Sequence, residues 1–133
     1  MGLSYIFEKS DVNPYGPLIY MWQVKNREGI PVFEYVGKAV NGSDRPRKAY
    51  SKNVSDLLSG KYWHSDKTKD FREVHWVLAG AAVEKYKISL RFLCNCTADD
   101  INQREREHQA KYIVSNNANR EAIASLIGAA KTA

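Results

Sequence analysis

The chain has 133 residues, of which 44% are hydrophobic and 11% aromatic, so the composition excludes a disordered protein and indicates one globular domain over residues 1–133. The formal net charge of +5 is a modest bias toward polyanionic partners. No apolar run approaches the roughly 20 residues that span a membrane, and the N-terminus lacks a basic start followed by an apolar core, so we expect a cytoplasmic protein without a membrane partner.

The first predicted elements, after a turn-rich N-terminal segment, are two strands. Residues 18–25 alternate with period two, as a half-buried strand does. Residues 26–29 are polar and end in glycine, which indicates a turn, and residues 32–38 form the second strand. Because parallel strands need a long crossover, this short connection predicts an antiparallel hairpin. We expect the pairing to bring Tyr20 and Tyr35 onto one face.

Helices dominate the middle of the chain. Residues 41–69 are a polar, basic insertion, within which residues 45–52 are predicted to form a short helix. Pro46 fits only in the first turn of that helix, where its missing N–H has no intrahelical partner. Residues 71–84 carry apolar side chains at helical spacing and predict a longer helix, for which Asp70 is the expected N-cap.

The last third of the chain adds one strand and two helices. Residues 87–94 alternate as a strand with one wet face. Residues 98–114 follow as a helix, and residues 119–131 form a C-terminal packing helix with an apolar stripe. This order predicts an α+β fold, in which a small antiparallel sheet of three strands is flanked by helices.

Residues 35–39, Tyr-Val-Gly-Lys-Ala, are the most informative segment. Tyr20 lies in a strand before it, and Arg45 follows in a basic segment after it. This layout resembles the GIY-YIG nuclease family, and it is most similar to the nuclease domain of the bacterial excision-repair incision subunit. The resemblance covers about residues 17–119. It implies the same α+β architecture and a metal-dependent DNA endonuclease that hydrolyses phosphodiester bonds.

Glu105 is the predicted metal ligand. Ile101, Glu105, His108 and Tyr112 lie along one stripe of their helix, and an acid in a semi-apolar stripe is not where solvation alone would place it. The resemblance implies that Glu105 holds Mg²⁺ or Mn²⁺ through one carboxylate, with water completing the shell. His108 is one helical turn from Glu105, so we expect it at the edge of the site. The alternative is a solvated acid in the charged run of residues 104–107.

The two tyrosines are the predicted water-activating groups. The resemblance implies that one positions or deprotonates the attacking water while the other hydrogen-bonds the water or the phosphate. Tyr20 is favoured as the base by a narrow margin, and the sequence leaves the choice between Tyr20 and Tyr35 open. Lys38 would be a phosphate contact and would help to lower a phenol pKa. Without the resemblance, both tyrosines would be interpreted as core residues.

Arg45 matches the catalytic arginine of the family, whose planar fork suits phosphoryl charge. Arg47 and Lys48 are close enough in sequence for a slip of the alignment, and both are candidate DNA contacts. The family often places a histidine or tyrosine about one helical turn after the arginine. Ala49 occupies that position here. Either Tyr50 fills the role through a distorted turn at Pro46, or the role is vacant.

The remaining candidates are structural or contact DNA. Gly37 is expected to allow a close approach to the backbone, and Asn119 is chosen as the structural asparagine of the family. The insertion mixes cations with aromatic side chains, as phosphate contact and base stacking require. Its candidate DNA-binding residues are His64, Lys67 and Lys69.

Two functions are compatible with the sequence. The first is a DNA endonuclease, with DNA as its partner, Mg²⁺ or Mn²⁺ as its cofactor, and a monomer favoured over an oligomer. The alternative is a catalytically inactive GIY-YIG-like module that binds nucleic acid or another protein. Ala49 at the usual histidine or tyrosine position motivates this alternative.

Overall fold

The computed structural model describes residues 3–60, 71–112 and 114–133 and shows an α+β fold. The strands are β1 (Ile6–Glu8), β2 (Leu18–Lys25), β3 (Pro31–Ala39) and β4 (Lys87–Asn95). The helices are α1 (Tyr50–Leu58), α2 (Glu73–Val83), α3 (Ile101–Tyr112) and α4 (Arg120–Lys131). A π-helical turn, Arg45–Ala49, leads into α1, and a 3₁₀ turn, Val114–Asn117, precedes α4.

The four strands form one mixed sheet in the order β1-β4-β2-β3. The central strand β2 pairs antiparallel with both β3 and β4, as the alternating patterns predict. The predicted sheet of three strands is nevertheless too small, because β1 adds a fourth strand parallel to β4. This strand has three residues, and Ile6 is 49% exposed, so its sequence carries neither the length nor the alternation that identifies a strand.

The sheet is buried on both faces. On one face, Tyr20, Trp22 and their neighbours in β2 pack with residues of α1, α2 and α4 in the main hydrophobic core. On the other face, Ile19 and Met21 pack against Ile101 of α3. The edge strand β3 is bordered by residues from both layers. Gln109 of α3 donates a hydrogen bond to the carbonyl oxygen of Val36 at 3.4 Å.

The start of α2 differs from the prediction. The helix begins at Glu73 and not at 71, because Arg72 has extended backbone and is the N-cap residue. The Arg72 N–H donates to Nδ1 of His75 at 3.0 Å, so a histidine side chain performs the capping that the sequence assigned to Asp70. Asp70 itself lies outside the described residues.

The helices of the described part are too short or too polar to cross a membrane. Helix α4 packs closely on α2 at Gly80, where an added Cβ would overlap the carbonyl group of Leu126. A side chain at Gly80 would therefore force the two helices apart.

Candidate active site

A cleft of about 560 Å³ opens at the C-terminal end of the edge strand β3. It receives side chains from β2, from β3, from the π turn, from the residue before α2 and from α3. Its lining residues are Tyr20, Tyr35, Lys38, Ala39, Val40, Asn41, Arg45, Ala49, Arg72 and Glu105.

Five of the predicted site residues meet in this cleft although they are far apart in the sequence. Tyr20 comes from β2, Tyr35 and Lys38 from β3, Arg45 from the π turn, and Glu105 from the opposite layer. Nothing in the packing of an α+β core requires these polar groups to converge. The cleft wraps around the edge of β3, which is why residues from both faces of the sheet reach it.

The register of β2 and β3 places the two tyrosines on a common face. Tyr20 is opposite Gly37, and Trp22 is opposite Tyr35, so the two phenol rings are diagonal neighbours. Gly37 provides the space that Tyr20 needs, since a Cβ at this position would lie 2.5 Å from both Cζ and Oη of Tyr20. The absence of a side chain therefore lets the phenol cross the neighbouring strand.

Tyr50 joins the tyrosines through hydrogen bonds. Its hydroxyl group lies 2.8 Å from that of Tyr20. The guanidinium of Arg72 donates to the Tyr50 oxygen at 3.0 Å and to the Tyr35 oxygen at 2.9 Å. One cation thus connects two phenols directly and the third, Tyr20, through Tyr50.

The three phenols of this network differ in how deeply they are buried, and burial changes the pKa of a phenol. Burial raises the pKa of Tyr20 above its usual value, although the hydrogen bond with Tyr50 and the charge of Arg45 act in the opposite direction. Burial also raises the pKa of Tyr50, and the nearby Tyr20 phenol adds to this effect. Tyr35 is the more accessible of the three, with an intermediate exposure.

The π turn explains the position of Tyr50. Hydrogen bonds in a π-helical turn join residues five apart and not four apart, so the turn adds one residue to the helical repeat. Tyr50 is five residues after Arg45 and is buried beside the cleft, while Ala49 lines the cleft with only a methyl group. The distorted turn that the sequence allowed at Pro46 is present in the structure.

Glu105 differs from the other acids of its helix. It is partly buried and forms no ion pair with another described side chain, whereas Glu107 is exposed and lies 3.8 Å from Arg104. Asp100 pairs with the same arginine at 3.5 Å. Of the described residues that line the cleft, Glu105 is the only acid, and it shares the cleft with three cations.

A divalent metal ion in this cleft would have one carboxylate ligand from the described part of the protein, Glu105. Within the described ranges, no three His, Cys, Asp or Glu side chains gather to hold an ion. Mg²⁺ is often held by one or two carboxylates together with water and substrate phosphates, so this donor set, with Glu105 unpaired, fits such an ion. Lys38 adds a cation at the rim and donates a hydrogen bond to Asn102 of α3.

Three other candidates lie outside the cleft. Arg47 covers the ring of Phe7, with 4.5 Å from its Cζ atom to the ring centroid. Lys48 is exposed and lies 3.5 Å from Asp44. His108 faces Cys94, with 3.5 Å between Nε2 and Sγ, and not the edge of the site as expected.

Asn116 holds the backbone of β3 one residue before Tyr35, and the structural role expected for Asn119 stays a prediction. Asn116 is buried in the 3₁₀ turn, accepts the Glu34 N–H at 3.1 Å and donates to the Glu34 carbonyl oxygen at 2.8 Å. Asn119 is the residue before α4 and makes no side-chain capping bond. The candidate DNA contacts His64, Lys67 and Lys69 lie outside the described residues.

Arg72 is the main site residue that the sequence did not identify. It lies outside the motif of residues 35–39 and outside the insertion, so it was not among the candidate residues. A signal was present in hindsight, since an arginine just before the first turn of α2 is held at a fixed position in the fold.

Comparison with known proteins adds no identification, because no family model, curated protein or solved structure matches this chain.

Proposed function

We propose that this protein is a metal-dependent DNA endonuclease of the GIY-YIG type. The observation that carries the proposal is the convergence of Tyr20, Tyr35, Lys38, Arg45 and Glu105 on one cleft. The resemblance of the sequence implied these residues before their positions in the fold were considered, and they come from four separate elements. The three antiparallel strands β4-β2-β3 with flanking helices correspond to the architecture that the resemblance implies.

The charge of the cleft suits a phosphodiester. Lys38, Arg45 and Arg72 supply three cations against the single carboxylate of Glu105. Phosphoryl transfer places negative charge on the nonbridging oxygens, and fixed cations stabilise that charge. Arg45 is exposed and forms no ion pair with an acid among the described residues, so its guanidinium is available to a phosphate while it also acts on the Tyr20 phenol.

Glu105 is the residue that would hold Mg²⁺ or Mn²⁺. When bound, such an ion stabilises charge on a phosphoryl oxygen and makes a coordinated water more acidic. The open cleft leaves room for the substrate phosphate beside the carboxylate. We therefore expect the affinity for the metal alone to be weak and to increase when DNA is bound.

We assign the water-facing role to Tyr35 and a supporting role to Tyr20 and Tyr50. Tyr20 is 1% exposed and engages the hydroxyl group of Tyr50, so removing its proton would bury a charge. Tyr35 is more accessible and lines the same cleft. The sequence narrowly favoured Tyr20 as the base, and this assignment instead makes Tyr35 the phenol that positions the water.

The test compares two glutamate variants in a plasmid assay. Supercoiled plasmid is incubated with the wild type, Glu105→Gln and Glu107→Gln, each with and without Mg²⁺ or Mn²⁺. We expect nicking by the wild type only with a metal, and a rate lowered by about 10²-fold or more in Glu105→Gln. Glu107 is the matched control, because it is an exposed acid of the same helix.

DNA affinity, measured by fluorescence anisotropy without metal, separates the alternatives. The endonuclease is supported if Glu105→Gln binds DNA as the wild type does but does not nick it. Binding by a wild type that never nicks would favour the inactive nucleic-acid-binding module. If Glu107→Gln loses as much activity as Glu105→Gln, the assignment of the metal ligand is wrong.

A further inference from the structure

We propose that Arg72 is a positioning residue that directs the hydroxyl proton of Tyr35 into the cleft. This inference rests on the proposed function, since the hydroxyl group matters only if the cleft holds a phosphate and a water. It concerns a residue outside the motif, located just before α2 and after the basic insertion.

The direction of the hydrogen bonds follows from the chemistry of arginine. A guanidinium has five N–H donors and no acceptor. At 2.9 Å from Arg72, the Tyr35 oxygen must therefore be the acceptor, and the same holds for the Tyr50 oxygen at 3.0 Å. The hydroxyl proton of Tyr35 then points away from Arg72, toward the volume that Lys38 and Glu105 also line.

Tyr50 does not compete for this role. Its oxygen accepts from Arg72 and lies 2.8 Å from the Tyr20 hydroxyl, so its hydrogen-bonding capacity is used inside the protein. Tyr35 accepts from Arg72 through one lone pair and is only partly buried. Tyr20 and Tyr50 are each 1% exposed, so of these three phenols Tyr35 is the one whose hydroxyl group a water or a phosphoryl oxygen in the cleft can reach.

The backbone holds Arg72 at a defined position. The Arg72 N–H donates to Nδ1 of the buried His75, and the Arg72 carbonyl oxygen accepts the His75 N–H at 3.0 Å. The next residue, Glu73, is bound by both terminal nitrogens of Arg120 at 3.0 and 2.9 Å. The two bonds with His75 therefore fix the point from which the guanidinium of Arg72 extends, whereas the exposed side-chain pair of Glu73 and Arg120 lies at the same helix start without contacting that guanidinium.

The first experiment measures single-turnover cleavage and DNA affinity for Arg72→Gln, Arg72→Lys and Arg120→Gln. We expect Arg72→Gln to lower the rate by about 10²-fold while the DNA dissociation constant rises by only about threefold. Arg72→Lys keeps the charge and can donate to a phenol but lacks the planar fork that reaches both phenols, so it should recover part of the rate. Arg120→Gln disturbs the same helix start without touching a phenol and should cut at the wild-type rate.

A double variant shows whether Arg72 acts through the Tyr35 hydroxyl. If it does, Arg72→Gln lowers the rate of Tyr35→Phe very little further, because the group that it orients is already absent. Independent, multiplicative losses in the double variant would overturn the proposal. A loss in Arg120→Gln equal to that in Arg72→Gln would also overturn it, because the role would then be structural.

A readout without catalysis separates failure of this inference from failure of the proposed function. In protein labelled with carbon-13 at tyrosine Cζ, the signals of Tyr35 and Tyr50 are identified from their loss in the phenylalanine variants. Both signals should move in Arg72→Gln and stay in Arg120→Gln, whereas the signal of Tyr15, which is 89% exposed, should not move in either. Unmoved Tyr35 and Tyr50 signals would refute the contact even if the wild type cut no DNA.

Discussion

Replacement of Gly37 by alanine should damage the cleft through one methyl group. Gly37 does not have a positive φ angle, so its backbone conformation is open to alanine and any effect of the substitution must be steric. The new Cβ would lie 2.5 Å from both Cζ and Oη of Tyr20 and 3.0 Å from Cε1. Carbon atoms pack at about 3.5–4.0 Å, so the ring and the strand must separate by about 1 Å.

The buried surroundings of Tyr20 make this displacement costly. Its ring is 1% exposed and packs edge-on against Tyr50, with 5.8 Å between centroids. Overpacking of this kind costs about 1–3 kcal/mol of unfolding free energy. A shift of about 1 Å in a positioned group costs about 10²-fold in rate, so cleavage should suffer more than stability.

Urea unfolding and single-turnover cleavage measure the two effects, with Gly128→Ala as the matched control. An added Cβ at Gly128 in α4 meets nothing within 4 Å, so this variant should gain up to about 1 kcal/mol and cut normally. In a Tyr20→Phe background, Gly37→Ala should add little to the rate loss. A Gly37→Ala variant with wild-type rate and stability would refute the close approach of Tyr20 to this strand.

Two further predictions concern Arg45 and His75. Arg45→Ala should lower the cleavage rate more than DNA affinity, because its charge acts on the transition state, whereas Lys48→Ala should mainly weaken binding and reduce the slope of log affinity against log salt by about one. Equal effects of Arg45→Ala on rate and affinity would contradict this. Burial, with the charges of Arg72 and Arg45, lowers the pKa of His75 to about 4. Its neutral form therefore stabilises the fold fully above about pH 6.5, and this contribution, up to about 3 kcal/mol, should be lost as the pH falls toward 4. Urea unfolding between pH 4 and pH 6.5 measures how steeply the free energy of unfolding depends on pH, and this dependence should be weaker in His75→Gln than in the wild type. An equal dependence on pH in both proteins would exclude His75 as its cause.

The sequence predicts those parts of the fold whose patterns are local. Strand β2 has the predicted bounds because its alternation is complete, and helix α4 begins within one residue of its expected start. The short β1 escapes prediction because its only partner, β4, is about 80 residues away, and three residues give no periodicity. Its place in the sheet is decided by long-range packing.

In the candidate site, too, the residues of the sequence motif could be predicted, whereas contacts between elements that are distant in sequence could not. The motif order identified Tyr35, Lys38 and Glu105, and these residues do line one cleft. The contact of Arg72 with two phenols depends on where α2 lies against β3, which no local pattern encodes. The π turn is likewise a response to packing, because it turns Tyr50 into the core while Pro46 is buried beside it.

The amide side chains along β3 have a consequence for association between molecules. An outer strand with free N–H and carbonyl groups is a template on which another chain can add a strand. Asn116 binds both backbone groups of Glu34, and Gln109 binds the carbonyl oxygen of Val36, so two side chains take the place of a fifth strand. These backbone groups of Glu34 and Val36 are therefore not free to pair with a strand of another molecule.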